Sequence, residues 1–363
     1  FIPILYVGFS LSRTRLGEPD PILDYLGGLD TTLLAGFGFG QMAPAAVSAG
    51  TVVSTQEITW DPEPKERSNW RNEKITFEKI AVLLDGSVYA AQALPAAKRI
   101  CRATGASMTL LSGVKSYSHG PQEQFNADLA ARERYLDSII EQLEADGFVV
   151  DKAVRMGSIA EVTQAFVESA GIDLVVTTTR GKSGEKHWMS GGVSSQLMMK
   201  LDVPVYLVQG DQPKDLGRKP EKILVALDGS IKAEKVLPYV RTLAQLYNSE
   251  LTLISVPQIP ETENYRAPAD VVETLRAEAV AKMDNFLEAV ARDLEKDGLK
   301  VTTEVKGSRP ATMIVETAED GDYQLIALTS NGRGTLGRMI MGADSERIVA
   351  NTDRCVLMMP SRG

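Results

Sequence analysis

Residues 80–95 read IAVLLDGSVYAAQALP, and residues 223–238 read ILVALDGSIKAEKVLP. Asp85-Gly86-Ser87 returns as Asp228-Gly229-Ser230, Ala90 as Ala233, and Leu94-Pro95 as Leu237-Pro238, each 143 positions later. Farther along, Gly147, Gly181 and Gly191 return as Gly298, Gly332 and Gly342 at 151 positions, and Gly157 as Gly307 at 150. The second copy is therefore longer between residues 114 and 147, and the chain contains a duplication.

Both copies carry the same order of elements. An apolar run (80–84; 223–227) stops at the Asp-Gly-Ser turn, as a strand buried on both faces does. Ser87 and Ser230 are natural N-caps for the helix that follows. Strands are expected next at 108–114 and 251–256, then a helix closed by Asp146-Gly147 or Asp297-Gly298 and a strand at 149–155 or 301–306. A helix (159–170; 311–318), a strong strand (174–179; 324–329), a glycine loop, a helix and a last strand (203–208; 355–359) complete each copy. Alternating strands and crossover-length helices predict an α/β fold: two tandem doubly wound domains, each with a parallel sheet covered on both sides. Pro95 and Pro238 fall inside helical patterns and predict a shared kink or a late helix start. The domains are set at 75–210 and 219–363, after a mostly irregular extension at 1–74.

In such sheets a ligand lies beyond the carboxyl ends of the strands, where strand order reverses. The aspartate after the first strand, the end of the second strand and the glycine loop after the fourth meet there. In the first copy that loop runs Thr178-Thr179-Arg180-Gly181, nine residues, then Gly191-Gly192. In the second it runs Thr329-Ser330-Asn331-Gly332, nine residues, then Gly342-Ala343-Asp344. Glycines let backbone N–H groups approach a phosphate, and a helix N-terminus behind them adds a favourable dipole.

The Asp-Gly-Ser turn, the spaced glycines and the tandem copies resemble the universal stress proteins, which have an adenine-nucleotide α-hydrolase-like fold. The resemblance implies a non-enzymatic stress-response protein with ATP or a related adenine nucleotide as its ligand. It also implies that Asp85 and Asp228 face the nucleoside and that the backbone at Val114 and Val256 meets the adenine. Gly181, Gly191, Gly192, Gly332 and Gly342 would line the phosphates. ATP-binding members carry G-x-x-G, nine residues, then G followed by Ser or Thr. Here Thr178 and Thr329 replace the first glycine, and Gly192 and Ala343 replace the hydroxyl residue. A lost hydroxyl removes a hydrogen bond to charged phosphate worth about 1.5–3 kcal/mol, and Asp344 adds repulsion. The first copy, with Lys182 and Lys186 nearby, is the better nucleotide candidate; the second offers Arg333 and Arg338. The alternative is a scaffold of the same fold that has lost its ligand and acts by protein association. An aspartate before glycine is equally a turn former.

Other chemistries have little to build on. Gly181-Lys182-Ser183 imitates the end of a P-loop, but Val176 stands where the motif needs glycine. Residues 190–195 (SGGVSS) do not follow a buried strand directly, as the loop of ATP pyrophosphatases does. His119 and His187 lack neighbours at metal-ligand spacing, and no nucleophile elbow or HExxH occurs. A net charge of −9 argues against broad contact with nucleic acid or anionic membrane. The only cysteines, Cys101 and Cys355, suit buried thiols in a reducing compartment. Residues 33–53 are uncharged, but Gly36, Gly38, Gly40, Pro44 and Gly50 make a poor spanning helix, so a cytoplasmic location is expected over a membrane one. The stretch 61–74 (DPEPKERSNWRNEK) reads as a polar linker. The last strands, 203–208 and 355–359, are expected to pair edge to edge, making an intramolecular pseudo-dimer. Association with further copies is left open.

Overall fold

A computed structural model describes residues 69–114, 122–180, 193–209, 218–257, 269–307, 309–330 and 343–360. The first repeat comprises β1 (Lys79–Leu83), α1 (Val88–Ala91), α2 (Leu94–Thr104), β2 (Ser107–Val114), α3 (Gln122–Ala145), β3 (Val150–Met156), α4 (Ile159–Ala170), β4 (Leu174–Thr178), α5 (Val193–Lys200) and β5 (Val205–Val208). The second comprises β6 (Lys222–Ala226), α6 (Ile231–Glu234), α7 (Leu237–Tyr247), β7 (Glu250–Ser255), α8 (Ala269–Glu295), β8 (Lys300–Val305), α9 (Pro310–Asp320), β9 (Leu325–Thr329), α10 (Ala343–Asn351) and β10 (Cys355–Met359). Residues 68–259 and 277–363 form one compact unit.

Within that unit the strands make a single sheet in the order β3-β2-β1-β4-β5-β10-β9-β6-β7-β8. Every ladder is parallel except the central one, where Val356 pairs with Leu207, Leu357 with Tyr206 and Met358 with Val205 in antiparallel register. The expected edge pairing therefore forms within one chain, and each repeat buries the other's apolar edge. Strand residues alternate between two cores. Ile80, Val82, Leu174 and Val176 face α2 and α3, whereas Ala81, Leu83 and Val175 face α4 and α5. Burial on both faces is why these strands read as unbroken apolar runs.

Local differences from the sequence reading have simple causes. The last strand of the first repeat begins at Val205 rather than 203, after Pro204, which has no N–H to join the ladder. Pro95 and Pro238 mark late helix starts: each sits in the first turn of its helix, after the one-turn α1 or α6. Proline suits that place because its missing N–H would have no partner there anyway.

The linker reading of 61–74 is corrected at its C-terminal end. Asn69–Asn72 form a 3-10 turn, and Trp70 is 1% exposed in the core. Arg241, on α7 of the second repeat, donates from Nη1 to the Arg71 carbonyl at 2.9 Å and from Nη2 to the Glu73 carbonyl. Thr242 Oγ1 donates to the Ile75 carbonyl at 3.1 Å, and Arg71 pairs with Asp293 on α8. An aromatic side chain with apolar surface to bury outweighs the polar composition around it. Residues 1–68 lie outside the described residues.

Cys101 and Cys355 are both buried, and neither is in a disulfide. Burial pushes the Cys101 thiol up to about 12. Ellman's reagent at pH 8 is expected to label neither thiol in the native protein and both after denaturation. One fast-reacting thiol per native chain would contradict this packing.

Candidate functional site

The first repeat's strand order, β3-β2-β1-β4-β5, reverses direction between β1 and β4. These two strands are parallel neighbours, with Val82 beside Val176. Their carboxyl ends therefore open on one rim, where Asp85 follows β1 and Thr178, the last residue of β4, leads into Thr179-Arg180. In the second repeat β6 and β9 are neighbours in the same way, with Val225 beside Ala327. Asp228 follows β6, and Thr329 is the last residue of β9.

The Asp-Gly-Ser turn has the same construction twice. Asp85 Oδ1 accepts the Ser87 N–H at 2.9 Å, and Ser87 Oγ accepts the Ala90 N–H at 3.1 Å, capping α1. Asp228 and Ser230 repeat both bonds at 2.9 and 3.1 Å. Gly86 and Gly229 have φ of 81° and 76°, a conformation that glycine adopts without strain. One oxygen of each aspartate is thus engaged in shaping the turn.

On the β4 side, Thr178 Oγ1 donates to the Arg180 carbonyl at 2.6 Å, so its hydroxyl stabilises the bend. Thr179 Oγ1 donates to Gln209 Oε1 at 2.9 Å, and Gln209 Nε2 donates to the Val349 carbonyl on α10 at 3.3 Å. Gln209 is 2% exposed, and it ties the first repeat's rim to a helix of the second. Ala343 opens α10 and is exposed, with Asp344 next to it. Gly181, Gly191, Gly192, Gly332 and Gly342 lie outside the described residues, as do Lys182, Lys186, Arg333, Arg338, His119 and His187.

Val114 ends β2, and its carbonyl accepts the Gly157 N–H at 3.0 Å. Val256 does not occupy the matching place. Leu83 pairs with Leu111 and Ala226 with Ile254, so the ladders align Val256 with Gly113 and Val114 with Pro257. Treating Val114 and Val256 as a pair is one residue out of register. At that position the second repeat has an imino acid with no N–H to donate.

Sequence reading missed two residues on α3. A Cβ placed on Gly86 would lie 2.8 Å from Arg132 Nη1 and 3.4 Å from its Cζ, so this guanidinium rests directly over the turn. Tyr135 lies one helical turn farther on. Burial first, then the negative charge of Asp85, raise its phenol above the ordinary value, with Arg132 opposing. Aligning the two long helices at the 151-residue offset would have exposed both positions. Arg132 then faces Met283 and Tyr135 faces Phe286, while Leu136 and Leu143 match Leu287 and Leu294. Among the described residues, no group of three His, Cys, Asp or Glu side chains is placed to hold a metal ion. No described helix is long and apolar enough to cross a membrane.

The model of the universal stress protein family matches residues 76–209 and 220–360. A universal stress protein of Mycolicibacterium smegmatis is 26% identical over 225 residues, covering 60% of this chain and 71% of that one. One of Bacillus subtilis is 28% identical over 148 residues, covering 37% of this chain and 99% of its own. The crystal structure of a universal stress protein from Archaeoglobus fulgidus has a TM-score of 0.61 at 18% identity, over 78% of this chain and 97% of that one. At that identity the structural likeness establishes the fold.

Proposed function

Because this chain belongs to the universal stress protein family, we propose that it is a non-enzymatic stress-response protein whose first repeat binds an adenine nucleotide, with ATP foremost. One observation carries the reading: Asp85 and the Thr178-Thr179-Arg180 segment leave neighbouring parallel strands where strand order reverses. Asp85, which shapes the turn through one carboxylate oxygen, is the group that would meet a ribose hydroxyl. Gly191 and Gly192 would then bring backbone donors to the phosphates, and Lys182 and Lys186 would add charge. The protein acts in the cytoplasm through partners that distinguish the loaded from the empty form. The antiparallel β5–β10 ladder makes the pseudo-dimer, so self-association would use another surface.

Isothermal titration of the full chain tests the reading. ATP is expected to bind with a Kd below about 1 mM, and Asp85→Asn is expected to weaken binding at least tenfold. No heat with ATP, ADP or AMP at millimolar concentration would overturn it. The second reading, a scaffold without a ligand, is favoured by Thr178: its hydroxyl is already bonded to the Arg180 carbonyl where binding members have glycine.

A further inference from the structure

We propose that the two repeats are unequal, and that Arg132 and Tyr135 make the first repeat the chain's single nucleotide site, where they hold phosphate or ribose oxygens beside Asp85. The proposal rests on the nucleotide reading above and adds which residues select the ligand and how many molecules bind.

Arg132 approaches the Asp-Gly-Ser turn as closely as it does because Gly86 has no Cβ. Among the described residues, its buried Nη1 finds no hydrogen-bond partner, and neither does the buried Tyr135 hydroxyl. Other buried groups of the chain also lack partners, but these two donors lie together at the Asp85 turn, and folded proteins pair nearly all such groups. An oxygen-rich ligand seated on the turn supplies the missing acceptors. Guanidinium is the side chain best suited to phosphate, which it can grip with two N–H groups. It also offsets the repulsion that Asp85 alone would exert on an anionic ligand.

At the matching described positions the second repeat differs. Met283 and Phe286 stand where the first has Arg132 and Tyr135, and Pro257 stands at the place of Val114. Met283 is 4% exposed and part of the buried apolar set. Asp228 therefore keeps its turn-forming role while its surroundings offer neither a cation nor a phenol at the matching positions. The same duplication has been kept as a site in one copy and as packing in the other.

The test is titration of the full chain with ATP, with thermal melting to verify folding. Wild-type protein is expected to bind close to one ATP per chain. Arg132→Met, which copies the second repeat's own residue, is expected to weaken binding more than tenfold, and Tyr135→Phe about threefold. Met283→Leu should leave binding unchanged. Two ATP molecules per chain would overturn the inference. So would wild-type affinity in a folded Arg132→Met protein while Asp85→Asn abolishes binding, a result that would leave the nucleotide reading intact. Absence of ATP binding by wild-type protein would remove both.

Discussion

Trp70→Ala is expected to destabilise the protein by about 3–5 kcal/mol, the usual cost of removing a large buried aromatic. Trp70 is 1% exposed, and Arg71 and Arg241 stack on its ring, with their guanidinium carbons 4.9 and 5.9 Å from its centroid. The segment around it precedes the first repeat yet bonds to α7 and α8 of the second, so the alanine variant loosens a strap across both. Among the described residues, the buried indole N–H has no hydrogen-bond partner. Shape rather than hydrogen bonding is thus what the site needs, and Trp70→Phe should cost less than half as much. Chemical denaturation of the three proteins checks this. An alanine variant within about 1 kcal/mol of wild type would mean that the strap is not part of the native core.

A larger effect is expected at the seam. Val356 is fully buried in β10 and pairs with Leu207 on β5. Val356→Asp places a carboxylate where neither water nor a cation can reach it. The penalty of several kcal/mol approaches the whole stability of a typical domain. The variant is expected to lose its cooperative thermal transition and to aggregate, because two apolar strand edges are released together. Val356→Ala, which leaves only a small cavity, should remain folded and melt lower. A native-like, monomeric Val356→Asp protein would show that β5 and β10 do not pair in solution.

Most of the architecture was legible because duplication prints every signal twice. The Asp-Gly-Ser turn needs glycine at φ near +80°, and strands buried on both faces show as unbroken apolar runs. The central pairing could be expected from the apolar 203–208 and 355–359 segments, which would otherwise be exposed edges. Other features were hidden for physical reasons. Trp70 lies in a polar, breaker-rich stretch, and composition averages away a single anchoring side chain. The mismatch between Val114 and Val256 arose because both are apolar residues near a strand end, and only ladder register separates them. Arg132 and Tyr135 lie within an amphipathic helix, where charged and phenolic residues read as solvated. It took the closeness of Gly86 to show that the guanidinium covers the turn.

On the proposed reading, these asymmetries put the functional weight on one rim. Asp85 is built into its turn like Asp228, so the turn alone does not separate the repeats. What separates them is the company each keeps: Arg132, Tyr135 and the Val114 backbone on one side, Met283, Phe286 and Pro257 on the other. Gln209 bridges Thr179 of the first rim to Val349 on α10 of the second repeat.

The most direct test is a crystal structure of the full chain grown with ATP. The account predicts electron density for a nucleoside between the Asp85 turn and residues 178–180 of the first repeat, with Arg132 bonded to a ligand oxygen and the Asp228 rim empty. Density on the opposite rim of the sheet, or at the Asp228 rim alone, would contradict it.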